Sequence, residues 1–180
     1  MTLRHARLND IPALLSLQQS CHISEVAREL MPQGFLNTIL DAQALQRAIE
    51  DEQAIYLVES LGKPIAMAVC ASWEFWSGSA SVSARADALE QLHQGINRSN
   101  SYFWGPVCID PMHRGQGLFE ELFFTSRHAQ ASRYQYVYSY VHINNERSLA
   151  AHIHKAGFLY VRDFEQGLDS YCELIRATDD

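Results

Sequence analysis

The segment Val107-Cys108-Ile109-Asp110-Pro111-Met112-His113-Arg114-Gly115-Gln116-Gly117-Leu118-Phe119 gathers the residues best suited to chemistry. An apolar run ends, Pro111 forces a turn, and Arg114-Gly115-Gln116-Gly117 opens a helix. Two glycines let the backbone approach a ligand closely and leave its N–H groups exposed. Those N–H groups, the positive end of the helix dipole and the Arg114 charge together suit a pyrophosphate. The Gly-Lys-Ser/Thr of a nucleotide loop and the full dinucleotide fingerprint are both missing. Taken alone, the pattern also describes a tight strand–helix turn with no ligand.

The elements that must position this segment follow from periodicity. Leu3 to Ala6 reads as a first strand. Asn9 or Asp10 can cap a helix with Pro12 in its first turn, and Ile11, Leu14, Leu15 and Cys21 fall near one face. A second helix spans about Ala42 to Glu50. Ala54–Val58 and Ile65 to about Phe75, joined by Leu61-Gly62-Lys63-Pro64, form a hairpin. Trp76 to Ser83 is Ser- and Gly-rich loop, and Ala84 to Gln94 is helical, ended by Gly95. Tyr102 to Ile109 is an aromatic strand that Gly105-Pro106 must interrupt by a bulge or splay, since proline donates nothing to a ladder. Gly117 to Ala131 is an amphipathic helix, and Tyr134 to Ile143 is a strand with a tyrosine face and a valine face. Ser148 to Ala156 is a helix stopped by Gly157, and Phe158–Phe164 and Tyr171–Ile175 close the chain as strands. The order βααββ(α)βαβαββ is that of an α/β (α+β) chain with a largely antiparallel sheet.

Composition limits what such a chain can do. It has 180 residues, 47% of them hydrophobic and 19% charged, with a net charge of −7. One globular domain, residues 1–180, is expected, and a disordered or collagen-like chain is excluded. An acidic chain lacks the positive field of a nucleic-acid binder, so no nucleic-acid partner is expected. No apolar stretch approaches the roughly 18 residues of a membrane span, and no secretory signal precedes Asp10, so a cytoplasmic protein without a membrane partner is expected. Cys21, Cys70, Cys108 and Cys172 form no Cys-x-x-Cys pair. They read as free buried thiols in a reducing compartment rather than as a disulfide framework or a zinc site, and no metal is expected.

With these elements in order, the glycine segment resembles the acyl-CoA-binding motif of the GNAT superfamily of N-acetyltransferases, in which Val107, Ile109, Pro111, Arg114, Gly115 and Gly117 match in register. A second pattern, Asn145-Glu146-Arg147-Ser148 through Gly157-Phe158, resembles the family's Asn-x-x-Ser/Ala, short helix, Gly-Phe. The resemblance covers nearly the whole chain. It implies the GNAT fold: about seven twisted, mostly antiparallel strands, splayed between the fourth and fifth, flanked by helices, with an inserted loop–helix at about 76–101. It implies that the backbone of Val107, Cys108 and Ile109 holds a pantetheine arm and polarises a thioester carbonyl. Arg114, Gly115, Gln116, Gly117 and Leu118 would hold the pyrophosphate, with Asn145 and Ser148 facing the pantetheine or acceptor side. Acetyl-CoA is then the acyl donor, and the reaction is direct attack by a neutral amine, which needs a base, an oxyanion donor and often an acid.

Three features depart from the family pattern. Phe119 stands where Gly or Ala is usual, so its ring must point away from the phosphates. One residue too many separates Ser148 from Gly157: His152 lies seven after Asn145 but five before Gly157, and Ile153 four before. His152 is the candidate acid; its alternative is a surface or satisfied helix histidine, which His154 shares. The two cannot form a metal pair on a helix, being about 200° apart. The third departure is the insertion, with helix residues Ala86, Leu89 and Leu92 to bury. It reads as an acceptor-side lid, with a homodimer contact and an inert insertion as the alternatives. For the base, Glu74 sits among Trp73, Phe75 and Trp76, where an apolar surround would raise its pKa, and His142 lies near the expected thioester. A water relay is the remaining option. The function implied is acetyl transfer to a primary amine of a small molecule or peptide; the alternative is an inactive acyl-CoA-binding sensor or partner module.

Overall fold

The hydrophobic alternation closes into one seven-stranded sheet. In the computed structural model, which describes residues 1–179, the strands are β1 (Thr2–His5), β2 (Ile55–Ser60), β3 (Lys63–Ala71), β4 (Ser101–Ile109), β5 (Tyr136–His142), β6 (Leu159–Gln166) and β7 (Asp169–Ala177). They lie in the order β1-β2-β3-β4-β5-β7-β6, antiparallel except for β4–β5. The helices are α1 (Ile11–Cys21), α2 (Ala42–Glu50), α3 (Ala80–Leu92), α4 (Leu118–Gln130) and α5 (Glu146–Ala150). None is long and apolar enough to cross a membrane.

Two cores cover the two faces of the sheet. Leu14 and Leu17 of α1, Leu45 and Ala48 of α2, and Val82 and Leu89 of α3 pack on one face. Leu118, Leu122 and Phe123 of α4 pack on the other. β5 serves both: Tyr136, Tyr138 and Tyr140 join the first core, Val137 and Val141 the second. Each fully buried leucine contributes about 1.5–3 kcal/mol by leaving water. Local signals set the ends. Pro12 sits in the first turn of α1, and the Asp41 carboxylate caps α2 by accepting the Ala44 N–H at 2.8 Å. Leu61 (φ 51°) and Gly62 (φ 78°) make the tight β2–β3 turn, which requires two positive φ values.

The interruption expected at Gly105-Pro106 is a bulge. Ala68 of β3 faces Val107 and Cys70 faces Trp104, so Gly105 and Pro106 together oppose Val69. On its other edge β4 pairs with β5 only from Ser101 to Phe103, against Tyr136 to Tyr138, and then the strands part.

Most strand ends move by one or two residues, and three larger differences from the sequence reading bear on the site. β3 ends at Ala71, because Phe75 and Trp76 turn into a short 3-10 segment. α3 begins four residues earlier than expected and buries Val82, Ala86 and Leu89, leaving Leu92 half exposed. The stripe is shifted one turn towards the N-terminus because Val82 supplies a larger apolar anchor than Leu92 finds at the far end. The last helix begins at Glu146 and finishes as a single π turn, Ala151–Lys155, in which the Ala156 N–H donates to Ala151 O at 3.0 Å. That wider turn absorbs the surplus residue between Ser148 and Gly157.

Candidate active site

The parting of β4 and β5 opens two adjoining cavities. The larger, about 400 Å³, lies between the end of β4, the start of α4 and α5, and is lined by Val107, Cys108, Ile109, Gly115, Gly117 and Ser148 among others. The smaller, about 70 Å³, lies inside the parting and is lined by Trp104, Tyr140, His142 and His152. Val107, Asn145 and Ser148 border both.

The larger cavity opens at the N-terminus of α4. Gly115 and Gly117 both hold φ 80°, and Gly117 is the N-cap of α4, so the first free N–H groups of a thirteen-residue helix face the cavity mouth. The Phe119 ring turns into the core, 5.3 Å from Trp104 and 5.0 Å from His152, while the residue still borders the cavity. Leu118 is buried beside it and Gln116 is exposed outside the lining. Arg114 lines the cavity and is held in place by backbone carbonyls. Its guanidinium donates to Ile109 O (3.2 Å), Gln33 O (2.8 Å) and Gly34 O (3.3 Å), clamping the Gln33–Phe35 turn over the cavity. Asn145 clamps the same turn, donating to Phe35 O at 2.8 Å. Its Oδ1 is buried without a hydrogen-bond partner among the described residues, an acceptor waiting for an N–H donor.

Sequence reasoning missed this turn and the cations around it. Arg147, His154 and Lys155 also line the cavity. The Arg147 guanidinium comes within 3.9 Å of where a Gly115 Cβ would stand, while Lys155 pairs with Glu120 at 2.8 Å. Arg147 was legible as the cation two residues after Asn145; the turn carried only its Gly34.

The three catalytic candidates are not equivalent. His152 is 2% exposed and walled by Trp104, Phe119 and Phe158. Burial pushes its pKa down to about 4, opposed by the Ser148 carbonyl 2.7 Å from Nδ1. The proton of the neutral ring is therefore on Nδ1, held by Ser148 O, and Nε2 faces Ser139 Oγ at 3.5 Å without a proton to give. That state does not fit an acid near neutral pH. His142 lines the smaller cavity, but the Asn144 N–H donates to its Nδ1 at 3.1 Å, leaving Nε2–H to Asp169 at 3.3 Å. Its basic lone pair is thus already engaged. Glu74 lies in the turn after β3, exposed, and lines neither cavity, so the apolar surround expected for it is absent.

The insertion reaches the smaller cavity through Val82. His93, at the end of α3, sits 2.6 Å from Glu173 of β7, a carboxylate 1% exposed that also accepts from Arg162 at 3.0 Å.

This geometry agrees with one family. A family model for the acetyltransferase (GNAT) family matches residues 11–158. The chain belongs to the GNAT acetyltransferase family. Solved structures share the GNAT fold at low identity. Ribosomal-protein-alanine N-acetyltransferase from Brucella melitensis is 15% identical with a TM-score of 0.66, covering 98% of this chain and 99% of its own. Ribosomal-protein-S18-alanine N-acetyltransferase from Escherichia coli is 12% identical with a TM-score of 0.64, covering 98% and 93%. The yncA structure from Salmonella typhimurium, which holds its cofactor acetyl-CoA, is 16% identical with a TM-score of 0.66, covering 100% and 95%. At these identities the likeness concerns the fold. No curated protein matches the chain in sequence.

Proposed function

We propose that the protein moves an acetyl group from acetyl-CoA to a primary amine of a small molecule or peptide. The observation that carries this reading is the joint placement of the β4–β5 parting, the glycine start of α4 and the unpartnered Asn145 Oδ1 around one cavity. These features fit the coenzyme. The α4 N-terminus with Gly115 and Gly117 would take the pyrophosphate, Arg147 would add positive charge, and Asn145 Oδ1 would accept a pantetheine N–H. Acetyl-CoA supplies an activated thioester. The β5-facing backbone of Val107 to Ile109, released from the ladder after Phe103, would hold the pantetheine arm and polarise the thioester carbonyl, and Ser148 would border both halves of the site. The amine would enter through the smaller cavity, past Tyr140 and His142, with α3 as part of its wall. With His142 Nδ1 engaged, the ammonium proton leaves through water at the Asp169 rim.

The competing reading is an acyl-CoA-binding module without catalysis. It is favoured by the same three findings: Glu74 outside the site, His142 engaged, and His152 neutral with its proton turned away. Calorimetry with acetyl-CoA and a thiol-release assay over a panel of amines and peptides test both. Binding with amine-dependent thiol release supports the transferase. Binding with no release for any amine supports the module, and no binding overturns both.

A further inference from the structure

The two cavities differ in the charge of their walls. Arg114, Glu120, Arg147 and Lys155 all line the larger one. Among the described residues, no Asp, Glu, Lys or Arg lines the smaller one. Its wall is built from rings on separate elements: Phe35 of the Gln33–Phe35 turn, Phe103 and Trp104 of β4, and Tyr140 of β5, with Val82 of α3 beside them. Tyr140 stacks on Phe103, with centroids 5.4 Å and planes 24° apart, and meets Tyr171 edge-on at 5.3 Å. The two histidines of this wall add no charge. His152 is pushed down to about 4 by burial, and His142 Nδ1 accepts the Asn144 N–H, which only an unprotonated nitrogen does. Val107, Asn145 and Ser148 give onto the larger cavity. Asn37, Thr38 and Tyr140 do not border it and are exposed or half-buried, so they form the outer mouth. An apolar cavity that takes a benzene ring measures roughly 150 Å³. The smaller cavity, about 70 Å³, is too tight for a ring and roomy enough for an amine on a short carbon arm.

We propose that the acceptor is an arylalkylamine: a primary amine joined by a short carbon chain to an aromatic ring, with no charged group near the nitrogen. This rests on the acetyl-transfer reading above and narrows it. The amine and its arm fill the smaller cavity, and the ring stays at the mouth against Tyr140, where aromatic pairs gain energy beyond the area they bury. The carboxylate of a free amino acid would be carried among Phe35, Phe103 and Trp104 with no cation to meet it, and the second ammonium of a diamine would find no carboxylate. The same lack of charge supplies what Glu74, His142 and His152 do not. An ammonium entering apolar surroundings gives up a proton to water, because burial disfavours its charged form. The neutral nitrogen attacks the thioester carbon; the C–N bond forms and the C–S bond breaks. The nitrogen loses its second proton, the leaving CoA thiolate takes one up, and the products are an amide and the CoA thiol.

The test measures thiol release by the full-length protein at saturating acetyl-CoA with phenylethylamine, phenylalanine, butylamine, diaminobutane and a peptide beginning with alanine. Phenylethylamine and phenylalanine differ by one carboxylate, so kcat/KM should favour phenylethylamine at least about 100-fold. Butylamine, which lacks the ring, should fall about tenfold below phenylethylamine, and diaminobutane and the peptide further still. Thr38→Arg places a cation at the mouth and should raise phenylalanine relative to phenylethylamine at least about tenfold. Equal use of phenylalanine or butylamine, or a preference for the diamine or the peptide, overturns this proposal and leaves acetyl transfer standing. So does an unshifted ratio in a folded Thr38→Arg protein. Absence of thiol release with every amine and with the peptide overturns the transfer reading and this proposal with it. The wild-type comparison decides the matter if Thr38→Arg fails to fold.

Discussion

Ser139 Oγ donates to the carbonyl of Trp104 at 2.9 Å, one residue beyond the last rung shared by β4 and β5. Both residues are buried, at 3% and 0% exposure. In a continuing parallel ladder that carbonyl would accept a backbone N–H. Here a hydroxyl takes its place, so the strands separate without leaving a buried acceptor unpaired. Ser139→Ala should therefore destabilise the fold by about 1–3 kcal/mol in urea denaturation. A loss below about 0.5 kcal/mol would mean that water replaces the hydroxyl and that Ser139 does not hold the parting.

The glycines at the start of α4 give the second expectation. A branched side chain at φ 80° costs about 1–2 kcal/mol in backbone strain and stands where the phosphates would lie. Gly115→Val and Gly117→Val should each weaken CoA binding at least about tenfold by calorimetry. Unchanged affinity in both would move the pyrophosphate away from this helix.

His152 makes stability depend on pH with a definite sign. Its folded pKa, about 4, lies below the ordinary histidine value of 6.5, because burial disfavours the charged ring. The unfolded chain binds this proton first as pH falls. The stability tied to the neutral ring is complete above pH 6.5 and is lost progressively down to about pH 4, by about 3 kcal/mol. Denaturation midpoints of wild type and His152→Gln across that window check this: the wild-type curve should fall more steeply. Parallel curves would place the ring in contact with water.

The insertion is held more firmly than its composition suggests. His93→Ala removes one partner of a carboxylate that is 1% exposed, leaving Arg162 alone on it. A cost of about 1–3 kcal/mol is expected, with a raised KM for the amine and unchanged CoA affinity. Replacing Ser77–Asn100 with a short Gly-Ser link should likewise spare CoA binding and alter acceptor use. If acceptor kinetics survive and only the oligomeric state changes, α3 is a dimer contact rather than a lid.

The clearest readings were those carried by local chemistry. Arg114-Gly115-Gln116-Gly117 announces a helix start with free N–H groups, and Gly105-Pro106 announces a break in β4, because each pattern acts within a few residues. The contacts that tune the site are non-local and left no comparable trace. Nothing in the spacing of Cys21 and Cys108 says that α1 ends against β4. Nothing around Ser139 says that its hydroxyl serves Trp104. His152 was legible as a residue near the site, but its protonation depends on Trp104 of β4, Phe119 of α4 and Phe158 just before β6 closing round it. Glu74 failed for the same reason in reverse: aromatic neighbours in sequence are not neighbours in space when the strand has already ended.

The π turn at Ala151–Lys155 changes how this chain must be compared with others of its kind. One extra residue in a regular helix would rotate everything after it by about 100°. Here the surplus is confined to a single turn, so Asn145 and Ser148 stay at the cavity while Gly157 still meets β7 beside Arg176. In an alignment, the gap belongs inside the helix, between 151 and 155, and not in the loops at either end. Sliding the helix by one residue to avoid that gap would set Ile153 opposite the position that His152 fills and misassign the side chain beside the β4–β5 parting.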